Sequence, residues 1–504
     1  MTLWKLAGTT ALVTMLVSGA VQAEVTPEEV WQNWQDLSAS YGQAMTADSA
    51  VRQGDTLVVS GVTIRVDQDE TKVSGTLKKV SFRDLGDGTV EVTMSDSYPL
   101  TVVSPDSETG EPTTVTIMIS QPGLVLIAGG NADETSYDFD APTLTIKLDS
   151  VEGMDASDAD LTVNATLTGV TGSYLVSGDD VSTDVESVFE AASLSLVVDV
   201  ADPETDGTVR ATMTVASLAS EGAGTLLDMA AMADFAQALQ NGFAFDSAFS
   251  FGATSFDFEM LEGGVPTSVS GSAEGGTLYG AMDAEALYYS VGGTGMSVTV
   301  SGGQMPFPEV TVSYAELLFD LLMPIAKSDE PSDFSFLTRI VDLAISDEIW
   351  GMFDPAGNLP RTPATLIIDT SGTVRLTADL MNETAMDMMG EAPPGELHSL
   401  DLGELRASFA GAELTGSGAF TFDNTDLATF GGLPAPTGKL DLRLIGANAL
   451  LDKLVAMGII PQEEAFGYRA GAAMIANTGP GEDELTSTLE FKDKGFFANG
   501  QRLQ

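Results

Sequence analysis

The stretch "VSGTLKKVSFRDLGDGTVEVTM" (residues 73–94) decides the fold class of this chain. Apolar residues alternate with polar ones up to Val80 and Phe82, and the alternation resumes after a short polar segment. Alternation with period two is typical of a β-strand that buries one face, and Asp87-Gly88 is a strong hairpin signal. The stretch therefore predicts two antiparallel strands joined by a turn.

The same alternation recurs along most of the 504 residues. Apolar residues on one side and polar residues on the other indicate antiparallel sheet with one solvated face. We therefore predict a mainly β fold (α+β): long curved antiparallel sheets with a few amphipathic helices packed on one face. Besides residues 73–94, the predicted strands lie within residues 57–66, 115–119, 144–148, 161–167, 194–200, 209–215, 243–260, 366–368, 374–378, 405–409 and 419–422.

Helical spacing replaces this alternation in a few segments. At the first one, Thr26 and Glu29 form a capping box and Pro27 takes the first helical position. Its apolar stripe, which includes Val30 and Trp34, is expected to pack against the sheet. Further helices are predicted at residues 225–242, at 313–324, 333–345 and 346–353, and after residue 446.

Three segments organise the chain. Residues 1–23 contain one cation, Lys5, then a short apolar run, and Val21 and Ala23 stand where a small-residue cleavage site requires them. This pattern predicts a cleaved signal peptide and export to the periplasm. Two halves follow, residues 24–221 and 222–504, the second with a helical insertion around residues 314–353. No later segment has 18 consecutive apolar residues, so we expect no transmembrane helix in the mature chain.

The composition is strongly acidic. Lys and Arg number 21 against 74 Asp and Glu, which gives a net charge of −53. Such a surface repels phosphate backbones, so we expect no nucleic-acid partner. It favours solubility in a saline medium or docking to a cationic envelope protein. The chain has no cysteine, which excludes disulfides, thiolate metal sites and cysteine nucleophiles.

Residues that carry chemistry are scarce. The single histidine, His398, lies in a predicted polar loop, and one imidazole does not make a metal site. Asp155, Asp158 and Asp160 are interpreted as a solvated acidic turn, because the calcium-loop pattern is missing. The sequence predicts no catalytic residue, no cofactor and no metal. Two carboxylates acting in glycoside hydrolysis remain possible in principle, since acids are abundant.

The richest aromatic stretch is "FAFDSAFSFGATSFDFEM" (residues 243–260). Its phenylalanines fall on alternate positions and therefore on one face of a predicted strand pair. Two interpretations stay open: the face packs as an ordinary core, or it lines a groove for an apolar ligand. The candidate groove residues are Phe243, Phe245, Phe249, Phe251, Phe256 and Phe258.

The segment at residues 329–372 resembles a known family. The decisive motif is "SDEIWGMFDPAGNLPRTPATL" (residues 346–366), which contains Trp350, Asp354, Pro355, Leu359, Pro360 and Arg361. It resembles domain of unknown function 2125, a family of uncharacterised exported proteins of Alphaproteobacteria. The resemblance implies no activity, cofactor or catalytic residue. The ending "GFFANGQRLQ" (residues 495–504) is similar to the closing strand of AsmA-like envelope proteins, which are thought to handle or bridge lipids with long grooved sheets.

Physically, the motif is interpreted as structural. We expect Trp350 and Phe353 to pack under the loop and Asp354 to pair with Arg361 across it.

These observations favour a non-enzymatic periplasmic envelope protein that holds a lipid-like apolar ligand in a β-sheet groove. Two alternatives remain: a structural or protein-interaction module of the cell envelope, and a secreted hydrolase that uses two carboxylates.

Overall fold

A single antiparallel sheet dominates the computed structural model, which describes residues 25–40, 43–68, 71–105, 111–131, 134–153, 160–178, 182–202, 207–227, 231–390 and 393–504. All 27 strands of the described residues belong to this sheet, and helices are few and short. The predicted mainly β, antiparallel fold is confirmed, with one sheet in place of several. The predicted signal peptide at residues 1–23 and the acidic residues Asp155 and Asp158 lie outside the described residues.

The first part of the sheet alternates long strands with pairs of short strands that lie end to end. β5 and β6 both pair with β4, and β7 and β8 both pair with β9. The strands are Ala44–Thr46 (β1), Ser49–Gln53 (β2), Thr56–Gln68 (β3), Thr71–Asp84 (β4), Val90–Met94 (β5), Ser97–Pro105 (β6), Pro112–Ser120 (β7), Val125–Gly130 (β8) and Glu134–Glu152 (β9).

The middle of the sheet repeats this arrangement with longer strands. β13 and β14 lie end to end on β12, and β16 and β15 lie end to end on β17. The strands are Asp160–Gly178 (β10), Ser182–Asp202 (β11), Gly207–Leu227 (β12), Ala244–Phe251 (β13), Thr254–Glu262 (β14), Val265–Ala273 (β15), Gly275–Met282 (β16), Ala286–Gly302 (β17) and Glu309–Pro324 (β18).

The last part is a meander of antiparallel neighbours from β18 to β23, continued by β25, β26 and β27, with β24 on the edge of β25. The strands are Ser332–Ile345 (β19), Ala364–Leu376 (β20), Gly395–Phe409 (β21), Ala412–Asp423 (β22), Ala435–Ile445 (β23), Asn477–Thr478 (β24), Glu484–Lys492 (β25), Gly495–Ala498 (β26) and Gln501–Arg502 (β27).

Six α-helices lie in the connections of the described chain. They are Pro27–Ser40 (α1), Phe235–Gln240 (α2), Asp347–Phe353 (α3), Glu383–Met389 (α4), Ala447–Ala456 (α5) and Gln462–Ile475 (α6), and Ala231–Ala233 is one 3₁₀ turn. Among the described helices, none has the length and apolar character that crossing a membrane requires.

A line of backbone irregularities, which we call the crease, crosses the sheet from strand to strand. At the crease the strand pairing is interrupted for one or two residues without a change of register, or a long strand is broken into two, as between β13 and β14. Residues there adopt positive φ, which departs from the extended conformation of a strand. Examples are Gly61 (φ 64°), Gly169 (57°), Ser217 (55°), Gly295 (60°) and Asp342 (55°).

Apolar side chains cluster beside the crease. Ala141, Val170, Ala191 and Leu218 lie beside the crease on four neighbouring strands, and all are buried. Apolar residues farther along the same strands are half-exposed, as Ile146 shows at 42% exposure. No second layer of the described chain covers these strands, and side chains such as Phe139, Phe189 and Phe251 pack together at the crease. We interpret this clustering as a bend of the sheet toward its apolar face, and we call that face concave and the opposite face convex.

Helix α1 begins as the sequence predicts. The backbone N–H of Glu29 donates to Oγ1 of Thr26 (3.3 Å), and the N–H of Thr26 donates to Oε2 of Glu29 (2.8 Å). This reciprocal bonding is a capping box. The helix packs on the first strands of the concave face, where Trp31 and Trp34 contact the ring of Phe82 in β4. One end of the sheet therefore has a conventional closed core.

The predicted helical insertion around residues 314–353 is wrong except at its end. β18 and β19 occupy residues 309–324 and 332–345, and only α3 is helical. Leu and Ile favour neither state decisively, and β18 is flanked on both edges by long strands that need partners. Tertiary pairing therefore outweighs local propensity here.

Two other predictions are modified, and the division into two halves stays a prediction. The boundary near Gly222 falls inside β12, which pairs with β11 on one side and with β13 and β14 on the other. The sheet therefore has no break at this boundary. The helix predicted at residues 225–242 is shorter, because β12 extends to Leu227 and α2 begins only at Phe235. His398 lies in β21 and not in a loop.

Candidate ligand groove

One face of the sheet is apolar from strand to strand; we call it the apolar face. Residues directly opposite each other in antiparallel strands point to the same side. Phe256 opposes Met213, and Met213 opposes Leu196. The series continues through Ala165 in β10 to Ile146 in β9. Apolar side chains thus line up across five neighbouring strands.

The apolar face continues toward the C-terminal end of the sheet. Leu278 in β16 opposes Val291 in β17, which opposes Phe319 in β18. The ring of Phe319 contacts those of Tyr289 (6.1 Å between centroids) and Phe336 (5.6 Å). From β19 onward the same face carries Ile340, Leu366, Ala407, Leu414, Leu444 and Leu485 at successive opposed positions.

Five of the six predicted groove residues lie on this face. They are Phe245, Phe249 and Phe251 in β13 and Phe256 and Phe258 in β14. The expected strand pair is wrong, however. β13 and β14 do not pair with each other but lie in line along β12, on either side of the crease.

The sixth residue, Phe243, precedes β13. Its ring packs against Phe235 of α2, with 5.6 Å between centroids, and against Phe245 at 6.3 Å. Phe243 therefore anchors the short helix at the margin of the face and does not line its centre.

Several phenylalanine rings lie over a glycine of the neighbouring strand. A Cβ atom on Gly271 would fall 2.4 Å from Cζ of Phe256, and one on Gly276 would fall 2.5 Å from Cζ of Phe251. In both cases the two residues are directly opposed. A ring that lies across a glycine covers the backbone without rising far from the sheet. The pairs Phe139–Gly172 and Phe334–Gly372 repeat the arrangement.

Charged side chains inside the central strands point to the other face. Asp257 and Glu259 alternate with Phe256 and Phe258 and are exposed on the convex side. In β12, Arg210 faces the same way and pairs with Asp199. The charged residues in the interior of β11 to β14 that share this orientation are Asp184, Glu186, Glu190, Asp199, Arg210, Glu221, Asp246, Asp257 and Glu259.

The apolar face is open to solvent along its centre. Phe249, Leu278 and Tyr289 are 38%, 43% and 39% exposed. A core layer packed against them would bury such side chains almost completely. In the described structure the protein's own side chains therefore do not cover the centre of this face, and the apolar ligand stays a prediction.

The two ends of the groove differ. At the N-terminal end, α1 packs on β3 and β4 and closes a core there. At the C-terminal end, α5 contacts β22, and a pocket of about 330 Å³ that is open to solvent on one side lies on the sheet beside this helix. We call this space the C-terminal cavity; its lining includes Ile340, Leu366, Ala407, Phe409, Leu414 and Leu450.

The motif at residues 346–366 borders this cavity. Trp350 of α3 is buried and stacks on Phe409, with 5.7 Å between ring centroids and 18° between planes. It forms a small core with Leu359, Leu450 and Leu454. The prediction that Trp350 packs under the loop is confirmed. Phe353, which is 63% exposed, does not pack there.

Asp354 has a different role from the one predicted. Its carboxylate is fully buried and accepts hydrogen bonds from the backbone N–H groups of Leu359 (2.6 Å) and Asn358 (2.9 Å). These bonds, first of all the one from Leu359, hold the pKa of Asp354 below its ordinary value. The expected pairing with Arg361 is wrong, since Arg361 pairs with Asp347 of α3.

The convex face carries its own polar contacts. The hydroxyl of Tyr279 donates to Oδ2 of Asp246 (2.7 Å), and the hydroxyl of Tyr288 donates to Asp320. Burial, and next the hydrogen bond to the nearby carboxylate, raises the pKa of Tyr288 to about 12 and moves that of Tyr279 in the same direction. Both hydroxyls are therefore held in the neutral form.

Metal and cofactor sites have no obvious candidate in the part of the chain that is described. No group of three or more His, Asp or Glu residues there could hold a metal ion. His398 is half-buried, and its Nε2 atom lies 3.9 Å from Glu396 without a hydrogen-bond partner among the described residues.

Sequence reasoning missed much of the groove. The groove is also lined by Leu317, Phe319, Leu321 and Phe336. The sequence pattern predicts helices for the segments that contain them. The signal that was available is the period-two pattern Leu317, Phe319, Leu321 and Met323, which fits a strand as well as a helix face.

Comparison with family models gives one match. Residues 181–500 match the model described as "Uncharacterized protein conserved in bacteria (DUF2125)". The chain belongs to this family. The DUF2125 region begins with β11 and ends after β26, so it contains the central groove, the C-terminal cavity and the motif at residues 346–366. Helix α1 and strands β1 to β10 precede it.

Neither the search of curated proteins nor the search of solved structures found a match. The likeness of the chain's ending to AsmA-like proteins therefore stays a prediction.

Proposed function

We propose that this DUF2125 protein is a periplasmic envelope protein that holds the hydrocarbon chains of a lipid-like ligand on the apolar face. The observation that carries the proposal is the continuity of this face together with its exposure. Soluble proteins rarely leave large contiguous apolar patches in water, because each exposed Å² costs about 25 cal/mol. A patch that runs from strand to strand is therefore best explained by an apolar occupant.

The backbone of the groove favours hydrocarbon over peptide. Strands β4 to β23 have partners on both edges, so their N–H and C=O groups are used inside the sheet. A peptide lying across the face would leave its own backbone groups unpaired, which is costly away from water. A hydrocarbon chain has no such groups and gains free energy simply by covering apolar surface.

The dimensions suit long chains. Neighbouring strands are about 4.8 Å apart, so the face extends over roughly 65 Å from β4 under α1 to β22 under α5. One ligand would occupy only part of this length. Several chains side by side, or one that slides along, fit the uniform apolar character of the floor.

The charge pattern supports an uncharged contact surface. The interior of β11 to β14 presents its acids only on the convex side, so a ligand on the concave side meets no charge until it reaches the strand ends. Export to the periplasm is proposed on the basis of residues 1–23, whose sequence has the features of a signal peptide.

The test is extraction of lipid from the full-length protein purified from an envelope fraction, followed by mass spectrometry. We expect co-purifying lipid in the unmodified protein. Leu278→Glu places a charge on the apolar face at an exposed position, so the fold tolerates it while chain binding is impaired. We expect this variant to lose most of its lipid.

Thr277→Glu is the matched control, because Thr277 is the preceding residue of β16 and points to the convex face. It should retain lipid at the level of the unmodified protein. Equal loss in both variants, or absence of lipid from the unmodified protein, would contradict the proposal. Co-purification of a protein in place of lipid would point to an interaction module.

A further inference from the structure

We infer that the C-terminal cavity is a discrete site for the end of one hydrocarbon chain of the ligand. The inference rests on the proposed function and adds to it a fixed position where the chain terminates. Along the open groove a chain is covered on one side only. In the C-terminal cavity it would contact the sheet and, beside it, Leu450 of α5 and the ring of Phe409.

The lining of the cavity supports this assignment. Ile340, Leu366, Ala407, Leu414 and Leu444 occupy directly opposed positions on β19 to β23 and form its floor. Leu450 of α5 and Phe409 form walls. The floor continues the apolar face without interruption, so a chain lying in the groove can enter the cavity without crossing a charged residue of the floor.

The volume indicates how much the cavity can hold. At about 330 Å³ it lies at the lower end of the range for small-molecule sites, which is about 300–1,000 Å³. It is therefore too small for an amphipathic helix of a partner protein, whose diameter with side chains is about 10–12 Å. The end of a single unbranched chain fits better.

The structure also fixes the cavity in place. Asp354 holds the loop after α3 through two backbone N–H groups, and the buried Trp350 stacks on Phe409 at the cavity wall. A site built on restrained elements binds with little ordering cost. The motif at residues 346–366 therefore holds the wall of the cavity.

The position of Trp350 provides a direct readout. Because its ring stacks on Phe409, bromine atoms on the terminal part of a bound acyl chain would lie close enough to quench its fluorescence. The probe is a phosphatidylcholine with bromine near the end of one acyl chain, added to the delipidated full-length protein. We expect quenching in the unmodified protein and loss of that quenching component in Trp350→Phe.

Ala407→Phe tests occupancy by filling the cavity from its floor. We expect half-maximal quenching of Trp350 to require about tenfold more lipid, since the added ring displaces methylene groups of the chain from their buried position. Ala165→Phe is the control: it adds the same ring to the apolar face, at β10 and far from the cavity. This variant should quench like the unmodified protein. Circular dichroism of each variant checks that the sheet has formed.

The outcomes separate this inference from the proposed function. If lipid co-purifies but Trp350 is not quenched, or if Ala407→Phe is quenched like the unmodified protein, the groove hypothesis stands and the terminal site is wrong. If the unmodified protein carries no lipid and binds none, both are wrong. Should Ala407→Phe fail to fold, the comparison of the unmodified protein with Trp350→Phe still decides.

Discussion

The ring of Phe256 lies over Gly271 of the neighbouring strand, so that a Cβ atom on this glycine would approach Cζ of the ring to 2.4 Å and the backbone oxygen of Ser297 to 2.8 Å. The glycine is thus required by its neighbours and not by a turn. Because the arrangement recurs at four directly opposed Phe–Gly pairs, it sets the height of the groove floor.

Gly271→Ala should therefore destabilise the protein. The added methyl group forces the Phe256 ring out of its position, and overpacking of this kind costs about 1–3 kcal/mol. Gly280→Ala is the matched control, because its nearest neighbour, a ring atom of Phe245, lies at an ordinary 3.6 Å. Chemical denaturation should show a lower free energy of unfolding for the first variant and little change for the second. Similar values for both would show that the ring is not held by the glycine.

Helix α1 should contribute strongly to the stability of the N-terminal end. Trp31 is buried against Phe82, with 6.0 Å between ring centroids. Trp31→Ala removes this packing and is expected to cost about 3–5 kcal/mol. Gln32→Ala, on the exposed side of the same helix, should cost less than about 0.5 kcal/mol. Thermal unfolding followed by tryptophan fluorescence measures both, and equal effects would indicate that α1 is not docked on β4.

Asp354 should make stability fall in acid. Its folded-state pKa is lowered, so its contribution is present above the pKa of the unfolded chain, about 3.9, and is lost as the pH falls through the folded-state value. Asp354→Asn should lower the melting temperature by several degrees at pH 7, because an amide group accepts the two N–H bonds less well than a carboxylate does. The difference from the unmodified protein should shrink below about pH 4.

The control for this experiment is Asp347→Asn. Asp347 pairs with Arg361 on the surface, where its side chain is 77% exposed, and surface pairs contribute little. Its melting temperature should stay near that of the unmodified protein across the same pH range. A pH-independent deficit in Asp354→Asn would show that the carboxylate acts through packing and not through its charge.

The convex-face tyrosines should resist ionisation. Burial and the hydrogen bond to Asp320 raise the pKa of Tyr288 to about 12. A raised pKa contributes stability below the unfolded-state value, near 10, and this stability is lost as the pH rises through the folded-state value. Ultraviolet absorbance should therefore show Tyr288 ionising only at about pH 12 or on unfolding. A late component that is smaller by one tyrosine in Tyr288→Phe identifies the residue; ionisation of Tyr288 near pH 10 would contradict the assignment.

The sequence predicted the fold class well because alternation is local. The capping box of α1 and the turn after β4, where the N–H of Leu85 donates to the carbonyl of Thr89, each depend on residues a few positions apart. The segments around Leu317 and Phe336 were misread because their apolar residues satisfy both periods. Their state is set by β17 and β20, which lie outside any local window.

The candidate site was predicted in part for the same reason. Alternation placed Phe249 and Phe256 on one face of their strands, and the structure agrees. That β13 and β14 lie in line, and that Leu278 and Tyr289 continue the face, depends on pairings between distant strands. Asp354 was predicted to pair with Arg361 but accepts hydrogen bonds from backbone N–H groups, and this difference likewise follows from how the loop closes.

By itself the sequence determined that this chain forms amphipathic strands, carries its acids on one side of them and matches the model of its family, since these properties belong to single residues and their spacing. Only the tertiary structure decided that the apolar sides stay uncovered. We interpret the crease as a bend of the sheet toward its apolar face, and no second layer of the described chain lies against the centre of that face. Whether a hydrophobic stripe becomes core or groove depends on what packs against it, and packing is a property of the whole fold.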